Sequence, residues 1–295
     1  MPGAGELRVL RRRIRSVKST QKITRAMELI AASRISRARR AVDAARPYAE
    51  GITRVIRDLA SEGEVANHPL LREHDDVRRV GIVVISSDRG LAGAYNTNVL
   101  RRAERLAKEE RAAGREAVIY AVGRKGETYF RYRGERPVKV WTGITDQPRY
   151  DDAVRIAEEV GSAYWGEEIN RLWLCYTRFR SALTQISETR KVMPVDEREI
   201  SGGVGFPAQF EFEPSPQELL TQLIPRYVEH QLYAALMESS ASEHASRQRA
   251  MKAATDNAGD VINDLTREAN RARQAAITTE ISEIVGGAEA LAAEK

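Results

Sequence analysis

The sequence predicts an α/β protein organised around a long antiparallel α-helical coiled coil, with an N-terminal and a C-terminal helix flanking an inserted α/β domain. Three observations carry this reading. Apolar residues recur at a 3,4 spacing through both ends of the chain, short β-branched runs are confined to the middle, and those runs alternate with amphipathic helical stretches.

In the first helix, Leu7, Leu10, Ile14 and Val17, then Ile35, Ala38, Val42, Ala45, Ala49, Ile52, Ile56 and Leu59 keep the spacing of an a/d seam. Between these two series the seam positions are Gln21, Thr24 and Glu28. The apolar residues shift there to Ile23, Met27 and Ile30, which lie on a different face of the same helix. Pro47 and Gly51 are expected to bend the helix, and Gly63 with "ANHP" to end it, which sets a first segment of residues 1–63.

The second helix opens at "PSPQELL", where Ser215 suits the N-cap, Pro216 the first turn and Glu218 the capping-box position. Leu219, Leu220, Leu223, Ile224, Val228, Leu232 and Leu236 carry it past Pro225. Met251, Ala258, Ile262, Leu265, Ala269, Ala272 and Ala276 continue it, and Gly286 with Gly287 is expected to stop it. The helix is therefore assigned to residues 215–287 and a tail to residues 288–295.

Between the helices, "VGIVVISS" (80–87), "EAVIYAV" (116–122) and "LWLCYT" (172–177) read as strands, with helices over 98–113 and 152–165. "TQISETRKVMPV" (184–195) reads as a final strand. Strands alternating with helices of this length predict a Rossmann-like α/β domain over 78–200. A turn-rich linker, 201–214, containing "SGGVGFPAQ", leads back to the second helix.

The 295 residues are 42% apolar and 30% charged, a balance that supports a buried core, and the small aromatic share with abundant Ala, Arg and Glu favours long helices. A net charge of +5 favours acidic protein surfaces, nucleic acid or anionic membrane as partners without choosing among them. Arg8, Arg11, Arg12, Arg13, Arg15, Lys18, Lys22, Arg25, Arg34, Arg37, Arg39 and Arg40 surround the first helix with few balancing acids. The one cysteine, Cys175, excludes an intramolecular disulfide, and the start of the chain has no apolar signal region, so a cytoplasmic setting is expected. No apolar run approaches the roughly 18 residues of a membrane-spanning helix, so membrane association is expected to be indirect.

The lengths of the two helices create a mismatch. At 1.5 Å per residue the first spans about 80 Å and the second about 105 Å. If residues near Leu59 face residues near Pro216, Leu7 lies opposite about Ala269. The stretch "RARQAAITTEISEIVGG" then lacks a companion within the chain, although Ile277, Ile281, Ile284 and Val285 are apolar. A tip of that kind in water is an aggregation hazard, so a sleeve supplied by other proteins is the economical explanation.

Motifs for chemistry are weak. Gly90 and Gly93 follow a strand and precede a helix, but no phosphate-binding fingerprint surrounds them, and a tight turn is the simpler reading. His68, His74, His230 and His244 lack metal-ligand spacing, Cys175 reads as a small buried hydrophobe, and no acid–base pair is assembled. Catalytic, cofactor and metal residues are therefore expected to be none.

Three blocks, "STQKITRAMELIAASRI" (19–35), "SSDRGLAGAYN" (86–96) and "RARQAAITTEISEIVGGAEAL" (271–291), resemble the signature blocks of the gamma subunit of rotary (F-type) ATP synthases. The resemblance implies a central rotor shaft with no active site of its own, its coiled coil held inside a ring of three alpha and three beta subunits. It implies an α/β foot on the membrane-embedded c-ring beside the epsilon subunit, at the cytoplasmic face of a bacterial plasma membrane. It also implies that Ile23, Met27 and Ile30 lie where a beta subunit's acidic loop pushes, with Lys22 and Arg25, part of a basic collar with Arg12, Arg13 and Arg34, among the contacts with beta. By the same resemblance Arg273, Gln274 and Thr278 make polar contacts with beta, and Ile277, Ile281, Ile284 and Val285 form the tip in the ring's apolar bearing. Ala92 and Ala94 stand where relatives often carry Cys and Gly, and the chloroplast-type cysteine pair is missing, so thiol regulation is not expected. Two other readings remain at the level of residues alone: a basic coiled-coil protein that binds nucleic acid, and an α/β enzyme that uses a nucleotide.

Overall fold

The computed structural model describes residues 2–60, 76–195, 213 and 215–293. Two compact units make up the chain: Met1–Ile30 with Gln248–Lys295, and Ala31–Arg247. Two long helices, α1 (Pro2–Ala60) and α5 (Pro216–Ala293), contribute segments to both.

The Ala31–Arg247 unit is built on a five-stranded sheet. Its elements are β1 (Arg79–Ile85), α2 (Tyr95–Ala112), β2 (Glu116–Val122), α3 (Arg124–Tyr132), β3 (Lys139–Trp141), α4 (Tyr150–Trp165), β4 (Arg171–Phe179) and β5 (Gln185–Met193). The strand order is β3-β2-β1-β4-β5. Every pair is parallel except β4 with β5. One face, with Val83, Ile85, Val118, Tyr120, Val122, Leu172 and Leu174, is buried with α4, with Ile52, Ile56 and Leu59 of α1, and with Leu220 to Leu236 of α5. The other face, with Val80, Ile82, Val84, Ala117, Ile119 and Cys175, lies under α2 and Phe130 of α3. Burial on both faces is why "VGIVVI" is continuously apolar rather than alternating. Close packing fixes Gly81 as well, since a Cβ there would sit 2.8 Å from Ile169 Cδ1 and 3.0 Å from Leu172 Cδ1.

The expected α/β insert flanked by terminal helices is present, with differences. Helix α3 and strand β3 were not foreseen. One is nine polar-rich residues interrupted by Gly126 and the other three residues long, too short for a periodic signal. Helix α5 does not stop at Gly286 and Gly287 but continues to Ala293. A helical glycine costs about 1 kcal/mol relative to alanine, and the following "AEALAA" consists of strong helix formers that carry the helix on. Pro47 and Gly51 lie within a continuous α1, and Pro225 within a continuous α5. The proposed end of the first helix at Gly63 and "ANHP", and most of the 201–214 linker, lie outside the described residues.

The second unit is a helical hairpin. Leu10, Leu265 and Ala269 are buried together, with Leu7, Ile14, Val17 and Ala272 packed around them. Further along, Gln21 Nε2 donates to the Thr255 carbonyl (3.3 Å), and the Thr255 hydroxyl donates to Thr24 Oγ1 (2.8 Å). Partners rise along α5 as residues fall along α1, so the helices run antiparallel. Leu7 and Leu10 meet Leu265 to Ala272, the register that the heptads predict.

Candidate functional site

The heptad seam exhausts its partners at the end of the hairpin. Beyond Ala276 every described side chain through Gly286 is exposed. Ile277 is 48% exposed, Ile281 56%, Ile284 67% and Val285 50%. Arg273 and Gln274, just before this bare segment, and Thr278 within it are also exposed, the Thr278 hydroxyl donating back to the Gln274 carbonyl (3.0 Å). All seven residues expected at this end have exposed side chains.

The interruption of the seam in α1 is polar inside and apolar outside. Thr24 and Glu28 are buried at seam positions. Glu28 accepts from Arg25 Nη1 (2.9 Å), and the Thr24 hydroxyl donates to the Gln21 carbonyl (3.0 Å). Ile23, Leu29 and Ile30 are exposed, Met27 is half-buried, and Lys22 and Arg25 stand in solvent beside them. Leu29 had not been singled out, because it falls off both the seam and the shifted stripe. The outer face of residues 22–30 therefore combines bare apolar side chains with cations. Closer to the N-terminus, Arg8, Arg11, Arg12, Arg13, Arg15 and Lys18 are all exposed.

A doubly wound sheet usually takes its ligand outside the C-terminal ends of the strands, where the strand order switches, here between β1 and β4. In this chain α5 side chains lie against β4 there, just beyond its pairing with β1, and the loops on the β2 side of β1 bond to one another. The Ser86 hydroxyl donates to the Val122 carbonyl (2.9 Å) and accepts from the Gly126 N–H (2.8 Å). A Cβ on Gly123, whose φ is 93°, would lie 2.7 Å from the Ser86 carbonyl oxygen. Asp88 gathers three loops, accepting from the Gly143 N–H (2.8 Å), the Arg124 N–H (3.1 Å) and the Thr145 hydroxyl (3.0 Å). The turn after it is tight, with Leu91 and Gly93 at φ 62° and 54°. Gly90 and Gly93 thus belong to a structural turn.

Residues Ser239 to Ala245 of α5 are buried on all sides beside that edge. Arg247 Nη2 donates to Glu243 Oε1 (2.6 Å) and to the Gly90 carbonyl (3.1 Å). Burial pushes the Glu243 carboxyl up to about 7 despite its arginine partner. His244, whose ring nitrogen lies 3.2 Å from the Asp146 carbonyl, is pushed down by the same desolvation. Asp146 also pairs with Arg34. Burial raises the Cys175 thiol to about 12, which leaves it inert as a nucleophile. This polar stretch of α5 escaped sequence reasoning. Its only signal was the run "ESSASEHAS", small and polar where the helix had until then been rich in leucine.

Two comparisons decide the family. A family model described as ATP synthase matches residues 6–291. The ATP synthase gamma chain of Parafrankia sp. is 53% identical over 296 residues, covering 98% of this chain and 99% of the relative. The chain belongs to the ATP synthase gamma family. The gamma chain of Mycobacterium tuberculosis is 47% identical over 302 residues, again covering 98% of this chain and 99% of the relative. Among solved structures, a chain of the Tetrahymena thermophila mitochondrial ATP synthase central stalk and c-ring superposes with a TM-score of 0.63 at 25% identity. It covers 79% of this chain and 99% of its own length. A chain of the Euglena gracilis mitochondrial ATP synthase covers 99% of this one and 96% of its own with a TM-score of 0.66, and at 17% identity it speaks to the fold alone. Gamma-family membership makes this chain a non-catalytic subunit of ATP synthase.

Proposed function

We infer that the chain is the rotor shaft of an ATP synthase, coupling proton flow through a membrane c-ring to ATP synthesis or hydrolysis at beta subunits. The observation that carries the mechanism is the bare apolar end of α5, which requires a collar of foreign subunits. The alpha and beta subunits supply that collar in this reading. Ile277, Ile281, Ile284 and Val285 turn in an apolar bearing, and Arg273, Gln274 and Thr278 make polar contacts with beta.

Lys22, Arg25 and Met27 meet a beta subunit's acidic loop, which suits the cations and the exposed Ile23, Leu29 and Ile30 around them. The α/β unit is the foot, held by the epsilon subunit and the c-ring. Because the two outward faces of the hairpin differ, rotation presents each beta subunit with a different surface in turn. Moving a site from 1:99 to 99:1 open to closed takes roughly 5.5 kcal/mol of difference between those surfaces. A few apolar contacts and charge-assisted hydrogen bonds suffice for that.

No helix among the described residues is long and apolar enough to cross a membrane. Attachment through the c-ring, at the cytoplasmic face of a bacterial plasma membrane, follows from this reading. The nucleotide-enzyme alternative has α5 side chains and bonded loops where its site would lie. The nucleic-acid alternative has only the exposed cations in its favour, and no nucleic acid is required.

Co-purification tests the assignment. Stable recovery of the chain with alpha and beta subunits, and loss of ATP-driven proton pumping without it, are expected. Recovery alone, with pumping unaffected by its deletion, would exclude the role.

A further inference from the structure

Helix α5 meets the sheet where a strand has run out. The pairing of β1 with β4 extends only as far as Val84 opposite Cys175. Strand β4 continues to Phe179, its other edge still paired with β5 through Phe179 opposite Gln185. Backbone groups of Thr177 and Phe179 point to the same edge as those of Cys175, by the period of two along a strand. Side chains of α5 take the place of the missing strand. The Thr177 N–H donates to Ser239 Oγ (3.3 Å), the Ser242 hydroxyl donates to the Thr177 carbonyl (3.1 Å), and the Phe179 N–H donates to the Glu238 carboxylate (3.2 Å).

Ser239, Ser242 and Thr177 are buried, so water does not compete for these bonds. Ala241 and Ala245, both fully buried, are small enough for the helix to come this close. Two further bonds tie the helix to loops beyond the strand. The Ser240 hydroxyl donates to the Asp146 carbonyl (3.3 Å) and Arg247 to the Gly90 carbonyl (3.1 Å).

We propose that Glu238, Ser239 and Ser242 act as a rotational key that stops α5 from turning about its own axis against the sheet. Apolar packing is non-directional, so it resists separation of two surfaces far better than it resists sliding. A hydrogen bond demands alignment and weakens steeply when the angle is lost. Adjacent helical residues differ by about 100° in direction, so a slip of one residue would take all three groups away from β4. The inference rests on the rotor-shaft reading, because a helix that bears torque is the one that needs such a key. The three residues are positioning residues with no contact to a reacting atom.

The test uses the assembled synthase in membrane vesicles, carrying Ser239→Ala with Ser242→Ala. Ser246→Ala is the control, since the Ser246 hydroxyl donates to the Gln185 side chain of β5 (3.3 Å) and to no backbone group of β4. Hydrogen exchange at the Thr177 amide is expected to rise at least tenfold in the double variant and to stay unchanged in the control. ATP hydrolysis is expected to remain within twofold of the parent. Protons pumped per ATP against a steep gradient should fall at least twofold.

Unchanged exchange, or faster exchange with an unchanged pumping ratio, overturns the key. If the double variant does not assemble, Ser239→Ala alone is read by the same criteria. Failure of the unmodified chain to assemble with alpha and beta would instead overturn the rotor reading, a result distinct from any of these.

Discussion

Replacing Ile277, Ile281, Ile284 and Val285 together by serine separates what the tip does for the chain from what it does for a partner. Each side chain is about half exposed, so together they leave about two side chains' worth of apolar surface in water. At about 1.5–3 kcal/mol for full burial of each side chain, a sleeve that covers them gains roughly 3–6 kcal/mol. Losing that gain weakens association by about 10²–10⁴-fold, at 1.4 kcal/mol per tenfold. The chain's own unfolding should barely change, because exposed substitutions away from special features fall within about 0.5 kcal/mol each. Calorimetry on the isolated chain gives the first quantity, and titration of the chain into alpha and beta subunits, followed by native mass spectrometry, gives the second. A variant that assembles as tightly as the parent refutes the sleeve. A variant whose isolated melting temperature collapses shows that the tip is packed within the chain.

Three further outcomes follow from the packing and hydrogen bonds of the α/β unit. In α1, Leu59→Ala should cost about 2–5 kcal/mol in chemical denaturation, since Leu59 is fully buried, whereas the exposed Leu29→Ala should cost under about 0.5 kcal/mol. Asp88→Ala should destabilise the α/β unit by about 2–4 kcal/mol, because it strips the acceptor from three backbone amides and the Thr145 hydroxyl, while Asp88→Asn should recover part of the loss. Glu243 has its proton held more tightly when folded, from an ordinary 4.5 up to about 7, so the folded state binds more protons between those values. Its contribution to stability is greatest below about 4.5, falls as pH rises toward 7, and is flat above. His244, pushed the other way by burial, acts with opposite sign, so the parent is compared with Glu243→Gln at each pH. The variant should show a shallower loss of melting temperature between pH 5 and 7, and parallel curves would remove Glu243 from the explanation.

The long helices and the parallel strands were legible because their signals are redundant over many residues. The seam from Leu7 to Leu59 repeats often enough to mark the element, and counting residues from its assumed start gave an approximate register that the Leu10, Leu265 and Ala269 cluster matches. The strand "VGIVVI" is marked by its continuous apolarity, which burial on both faces demands. The bare tip was also readable, because it follows from counting residues against a known rise. Short elements such as α3 and β3 carry no such redundancy. The helix end at Gly286 was misplaced because a glycine that favours a stop can be outweighed by the helix formers after it. The dock of α5 on β4 was invisible in sequence, since it depends on which backbone amides a sheet leaves unpaired, and Ser239 and Ser242 look like any exposed serines until Thr177 is placed beside them.

Rotation itself can be observed in a complex of this chain with alpha and beta subunits fixed to glass. Cys175 is buried, so a cysteine introduced by Tyr132→Cys, at an 88% exposed position on α3, offers a selective attachment point for a bead. On addition of ATP the bead should turn continuously in one direction and stop when ATP is removed. A bead that stays fixed while the same complex hydrolyses ATP would contradict the rotor shaft.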